Sequence, residues 1–236
     1  MSKIIVDTIE SSGTTVTIAD NTTVSGNVDA GTNAVTAGSV TGITAASITS
    51  GTLGAGASIT NASLPAGHVL QAVTDTLTAA ESWGSSTGGW QAIGTSGCEV
   101  TITPSSTDSK ILIIYSCGGL NSNNGSTPAT RIYRSISGGT AEAPLVATSA
   151  GSRLAGQTLS PGYVGGDLGS GQIGFDTGSH FLDSPSSTAA ITYSIQWGGR
   201  TDTGVFTNYI GRTVTDNNSD YMARAVTTIT ALEIGG

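Results

Sequence analysis

The feature that most restricts the fold is a tract from Thr14 to Leu64 that contains no lysine, arginine or aromatic residue. Single β-branched or leucine residues stand there among Gly, Ser, Thr and Ala, and from Ile43 onward they recur every five or six residues. This spacing differs from the alternation of one strand and from a heptad repeat. It favours short strands broken by turns, each giving one apolar side chain to a common axis. The apolar series is Val16, Ile18, Val24, Val28, Val35, Val40, Ile43, Ile48, Leu53, Ile59 and Leu64.

Two structures are compatible with this tract. A single chain this poor in apolar side chains cannot offset its ordering entropy, which makes compositional disorder the alternative interpretation. Several copies wound around one axis would join the spaced residues into a continuous apolar line, because repeats of this kind bury their faces only against neighbours. We therefore expect a homotrimeric, repetitive β-shaft over residues 26–67, preceded by a separate segment at residues 1–25.

After the turn sequence Leu64-Pro65-Ala66-Gly67, the pattern becomes that of a compact β domain over residues 68–236, called the knob below. Eight β-rich segments separated by turn residues predict an antiparallel β-sandwich of jelly-roll type. The fold class is thus all-β throughout. The predicted strands are His68 to Thr74, Glu99 to Thr103, Lys110 to Cys117, Thr130 to Ile136, Gln172 to Leu182, Ala189 to Trp197, Val205 to Thr213 and Ala225 to Leu232.

Two of these segments carry informative face patterns. Lys110 to Cys117 has apolar residues on both faces, which predicts a central strand. Ala189 to Trp197 alternates apolar and polar residues, so one face of its sheet should be solvated or turned toward a neighbouring chain.

Charge excludes several partners. Eight basic and sixteen acidic residues give a formal net charge of −8, which offers no electrostatic footprint for nucleic acid or anionic membranes. No apolar run is long enough to span a bilayer, and the start resembles no signal peptide, so we expect cytoplasmic synthesis and no membrane insertion. Cys98 and Cys117 lack the spacing of a zinc site and are predicted to be buried free thiols.

Motifs with catalytic associations have simpler explanations here. Asp176-Thr177-Gly178 and Asp202-Thr203-Gly204 match the turn of aspartic proteases, but they stand too close together to occupy one lobe each. His68 and His180 have no Cys, Asp or Glu neighbours at ligand spacing. Asp216-Asn217-Asn218-Ser219-Asp220 reads as a solvated hairpin tip rather than a calcium loop. We predict no catalytic, metal or cofactor site, and no enzymatic activity.

The aromatic side chains are the candidates for contact with a receptor, because a ring can stack on a sugar. Trp197 is in phase with the buried face of its strand and is predicted to belong to the core. The candidate receptor contacts are Trp83, Trp90, Tyr163 and Tyr209.

Several passages resemble the tail-fibre and virion-fibre proteins of marine phages that infect cyanobacteria and pelagic heterotrophs. The resemblance covers most of the chain, although Gly138 to Gly171 departs from it. It implies a homotrimeric virion appendage with a distal knob, in which residues 1–25 are a virion-attachment segment that binds other virion proteins of the tail, portal adaptor or capsid. The matching passages are Ile4 to Ile9, Thr14 to Ile18, Ile102 to Ile113, Phe181 to Pro185, Ile191 to Gln196, Tyr209 to Arg212 and Thr228 to Ile234.

The sequence therefore predicts a structural subunit of a phage virion fibre that presents a knob to a host-surface glycan or protein. One alternative is a capsid or neck fibre, or a connector, that contacts no receptor. A tail-associated depolymerase is the enzymatic alternative. The virion, as a tail or capsid appendage, is the expected location.

Overall fold

The computed structural model describes residues 66–85, 89–94, 97–122, 127–149, 151, 153–160, 175–199, 206–218 and 223–236. The predicted attachment segment, and all but the last two residues of the predicted shaft, lie outside these ranges. Within them the chain is all-β and contains no helix. The strands are β1 (Val69–Leu77), β2 (Glu81–Ser85), β3 (Gly89–Ala92), β4 (Glu99–Ile102), β5 (Lys110–Ser122), β6 (Ala129–Ile136), β7 (Ala141–Glu142), β8 (Thr158–Leu159), β9 (Phe175–Asp183), β10 (Ile191–Gly199), β11 (Phe206–Ile210) and β12 (Thr227–Ile234).

The strands form two antiparallel sheets. The first has the order β1-β12-β5-β11-β2, with β9 also paired to β5, and the second has the order β3-β10-β6-β7, with β4 on β10 and β8 on β6. The 13-residue β5 pairs with β12 along one part of its length and with β11 near its end. The first and last strands, β1 and β12, are neighbours in the first sheet.

One core joins the inward faces of the two sheets, as in a β-sandwich. Alternate residues of β5, β10 and β12 point into it because successive side chains of a strand face opposite ways. Its members are Ile93, Cys98, Val100, Ile102, Ile111, Ile113, Tyr115, Cys117, Leu120, Ile132, Ile191, Tyr193, Ile195, Trp197, Ile210, Ile229 and Ala231.

Buried polar contacts tie the sheets together. Arg134 on β6 donates from one nitrogen to both oxygens of Asp183 on β9, at 2.7 Å each. The Tyr193 hydroxyl on β10 donates to the same carboxylate at 2.6 Å. A second link joins the Tyr115 hydroxyl on β5 to the Thr130 hydroxyl on β6 at 3.0 Å.

All eight predicted strands are present, with small differences at their ends. β5 is central, as predicted, but its outward face is open, since Ile114 is 45% exposed. The alternation predicted for β10 is confirmed, with Ile191, Tyr193, Ile195 and Trp197 buried. Cys98 and Cys117 are free and buried, also as predicted.

Candidate functional site

A cavity of about 400 Å³ lies where an edge strand of each sheet comes close to the other. Residues just before and within β2 form one wall, residues of β3 and its following turn form another, and β10 contributes Trp197. The volume falls within the range of about 300 to 1,000 Å³ typical of small-molecule sites. The lining residues are Ala79, Ala80, Glu81, Ser82, Trp83, Gln91, Ala92, Gly94 and Trp197.

Two indole rings dominate this cavity. Trp83 is half-buried, and its ring centroid lies 6.2 Å from that of Trp197, with the planes inclined by 31°. Trp197 is 1% exposed, and its Nε1 has no hydrogen-bond partner among the described residues. The pair therefore presents an apolar platform beside a buried hydrogen-bond donor.

The turn after β3 is fixed by a side chain of β2. The backbone N–H of Gly94 donates to Glu81 Oε2 at 2.7 Å, which ties the two walls of the cavity together. Gly94 has a φ of 93°, in the left-handed region that favours glycine. Beside this fixed turn, the exposed Gln91, which pairs with Trp197, adds an amide to the rim.

Trp90 belongs to a different surface. Its partner on β10 is Gly198, and a Cβ atom at that position would lie 2.9 Å from Trp90 Cε3, so the ring uses the space that the glycine leaves. Arg131 lies over the Trp90 ring, 4.2 Å from its centroid, and donates to Gln196 Oε1 at 2.9 Å. Burial lowers the pKa of the Arg131 guanidinium. The cluster lies on the outward face of the second sheet.

Tyr209 also lies apart from the cavity. It pairs with Ser82, whereas its neighbour Asn208 pairs with Trp83, so Tyr209 and Trp83 occupy opposite faces of the first sheet. The Arg212 guanidinium carbon lies 4.9 Å from the Tyr209 ring centroid. Farther along the chain, Arg224 Nη2 donates to Asp216 Oδ2 at 2.6 Å. Tyr163 lies outside the described residues.

Of the predicted contacts that the structure describes, Trp83 lines the cavity, whereas Trp90 and Tyr209 lie elsewhere. Sequence reasoning missed Glu81 and Gln91, which stand on strands too short to show a strand period. It assigned Trp197 to the core, which is confirmed, and the same ring also lines the cavity. The cavity therefore holds two indole rings with a carboxylate and an amide beside them.

The protease-like turn has a structural place. Asp176 is exposed on β9 and its Oδ1 accepts the Gly119 backbone N–H at 3.1 Å, while Asp202 lies outside the described residues. In the described part of the chain, no three His, Cys, Asp or Glu side chains gather as a metal-binding group. Nor does that part hold a helix long and apolar enough to cross a membrane.

Comparisons with known proteins found a weak similarity among solved structures. No family model and no curated protein matches the chain. A chain from the structure of infectious bursal disease virus, Gx strain, aligns with 70% of this chain at 12% sequence identity and a TM-score of 0.31. The alignment spans 37% of that viral chain.

Proposed function

We propose that the chain is a structural subunit of a phage virion fibre, of the kind found in marine phages, which attaches through its N-terminal segment and adheres to host cells through the knob. The observation that carries the proposal is the sequence order: a charge-poor tract of single, separated apolar residues leads directly into an all-β domain. Such a tract gains apolar burial by associating with further copies of itself, which is the requirement of a shaft.

The cavity at Trp83 is the proposed point of adhesion, and a saccharide is the proposed ligand. Sugars offer a face of C–H groups that stacks on an aromatic ring and a rim of hydroxyls that exchange hydrogen bonds. Trp83 supplies the ring, while Glu81 and Gln91 supply the polar groups around it.

Location in the virion is the first test. Antibodies raised against the purified chain and coupled to gold should label a fixed position on intact particles by electron microscopy. Labelling at the tail would support a tail fibre, and labelling at the capsid or neck would support the corresponding appendage. Intact particles that contain none of this chain by mass spectrometry would overturn the proposal.

Adhesion is tested with the full chain and host cells. Trp83→Ala should reduce binding to cells, and to polysaccharide extracted from them, at least tenfold. Trp90→Ala is the matched control, because Trp90 stacks on Arg131 outside the cavity and its loss should leave binding unchanged. Equal binding by wild type and Trp83→Ala would remove the cavity from the adhesion proposal.

A further inference from the structure

The outward face of the first sheet carries an unusual set of side chains for a surface. Strand register places Ala72, Leu232, Leu112 and Leu182 side by side across β1, β12, β5 and β9. Val69 is 53% exposed, Ile114 45% and Leu182 51%. We name the outward side of these four strands the outer apolar face; its larger apolar residues are Val69, Leu112, Ile114, Leu182, Leu232 and Ile234.

The outward side of the second sheet carries more polar groups. Thr101 and Thr192 are joined there through their hydroxyls at 2.9 Å, with Ser135 beside them, and Arg131 pairs with Gln196. Trp90 and the 65% exposed Leu159 also face outward, with Arg131 over the Trp90 ring. On the first sheet the apolar residues are instead continuous across four strands, and contiguous apolar surface of this kind marks an interaction site.

We infer that the outer apolar face is the contact between knobs of neighbouring copies of this chain in an oligomer. This inference rests on the proposed fibre function and names the surface through which its subunits associate.

Charge favours a second copy as the occupant. The chain carries a formal net charge of −8, so most orientations of two copies bring carboxylates together. Among the outward residues of β1, β12, β5 and β9, Asp176 is the one carboxylate, and Lys110 and His180 are the basic residues. Two copies that meet here avoid most of the repulsion that they would meet elsewhere.

The size of the face limits the strength of this contact. Four strands spaced about 4.8 Å apart, with four outward positions about 6.7 Å apart along each, cover about 500 Å² per copy. A stable independent interface takes about 800 Å² per partner, so the face is too small to hold copies together alone. It requires a second point of association.

The repetitive tract is the proposed second point of association, and in sequence it ends close to the face. Only four residues, Pro65 to His68, separate the last apolar position of the repetitive tract, Leu64, from Val69 on the face. Copies joined through the tract would hold their Val69 residues at high effective concentration. A weak apolar contact between the faces would then form in nearly every oligomer.

Cross-linking of the full chain tests the inference. In Ile114→Cys, a short bismaleimide should convert most of the protein to covalent dimers, because each chain then offers one reactive thiol while the native Cys98 and Cys117 are 0% exposed and cannot compete. Ser135→Cys, exposed on the outward face of the second sheet, is the matched control and should remain uncross-linked. In a second variant, Ile114→Glu should raise at least tenfold the subunit concentration at which the oligomer half-dissociates.

The outcomes separate this inference from the fibre proposal. A wild-type mass of one chain by light scattering would contradict both the shared face and the trimeric shaft. A mass of three chains, with equal cross-linking at positions 114 and 135 and no effect of Ile114→Glu, would overturn the face alone and leave the shaft standing.

Discussion

At the scale of single residues, Asp183 is the carboxylate that connects the two sheets. It accepts both contacts from Arg134 and one from Tyr193, and the Arg134 and Asp183 side chains are only 10% and 7% exposed. Arg134 also pairs with Glu142. Burial and the neighbouring carboxylate together raise the pKa of Tyr193, which keeps its hydroxyl protonated as a donor.

Removing Asp183 should therefore destabilise the knob strongly. Asp183→Ala leaves Arg134 Nη1 and the Tyr193 hydroxyl, both buried, without this acceptor. We expect the free energy of unfolding in urea to fall by about 3 to 5 kcal/mol. Asp216→Ala is the control, because Asp216 pairs with an Arg224 side chain that is 58% exposed, and such pairs contribute about 1 kcal/mol or less. Similar losses in the two variants would contradict this assignment.

Glu233 makes stability depend on acidity. Burial would raise its pKa, but hydrogen bonds from Ser105, Gln71 and Ser109 outweigh that effect and lower it. A folded pKa below the unfolded one gives stability that is present above the unfolded value, about 4.3, and lost as pH falls through the folded value. Glu233→Gln should therefore be less stable than wild type at pH 7, and the difference should shrink below about pH 4 in urea titrations. A difference independent of pH would contradict this role.

The thiols should be inert in the folded chain. Burial, with Asp75 nearby, raises the pKa of Cys98 to about 11, and burial raises that of Cys117 further. Because the thiolate is the reactive form, Ellman's reagent at pH 8 should modify neither cysteine until denaturant is added. Ser135→Cys should react at once in the native protein, and rapid native reaction of the wild type would contradict the burial of its thiols.

At the scale of elements, the sequence predicted eight of the strands and missed four short ones, β2, β3, β7 and β8. β5, β10 and β12 were predictable because apolar residues recur along eight or more positions. β2 and β3, with the sequences Glu-Ser-Trp-Gly-Ser and Gly-Trp-Gln-Ala, are too short for a period and contain glycine, which disfavours strands. They exist because β11 and β10 provide pairing partners, a tertiary effect outside any local window.

The same limit explains why the sequence did not predict the cavity. Trp83 was identifiable by residue type, but its neighbours depend on two edge strands from different sheets meeting, which spacing along the chain does not encode.

Ile114 is a residue whose predicted burial differs from the observed exposure. Its apolar neighbours in sequence suggested burial on both faces, whereas only the register with β9 and β12 reveals that its side of the sheet is open.

The contact between β9 and β5 depends on a glycine. A Cβ atom at Gly178 would lie 2.6 Å from the Tyr115 carbonyl oxygen, a distance that requires backbone movement. We expect Gly178→Ala to cost about 1 to 3 kcal/mol in urea unfolding. Gly139→Ala is the control, since its Cβ would meet Ile136 Cβ at an ordinary 3.4 Å. Equal stability of wild type and Gly178→Ala would show that the strands separate without cost.

At the scale of the whole molecule, the distribution of apolar residues connects the tract with the knob. The knob fills one core between its sheets and still leaves an apolar outward face. In the tract, the few apolar residues stand singly among small polar ones. Each feature is unfavourable in an isolated chain in water. In the oligomer that we propose, association of copies would bury both at once.

The tract itself offers the last prediction. If its spaced apolar residues line a common axis, replacing Val40, Ile43 and Ile48 by Ser removes three layers of that line from every copy. We expect the light-scattering mass of the full chain to fall from three chains toward one, because each buried β-branched side chain contributes about 1.5 to 3 kcal/mol. Replacing Thr36, Thr44 and Thr49 by Ser in the same tract removes methyl groups from the intervening positions and should leave the mass unchanged. A triple Val/Ile variant that retains the wild-type mass would mean that the apolar series does not hold the copies together, and that association depends on the outer apolar face or on another contact.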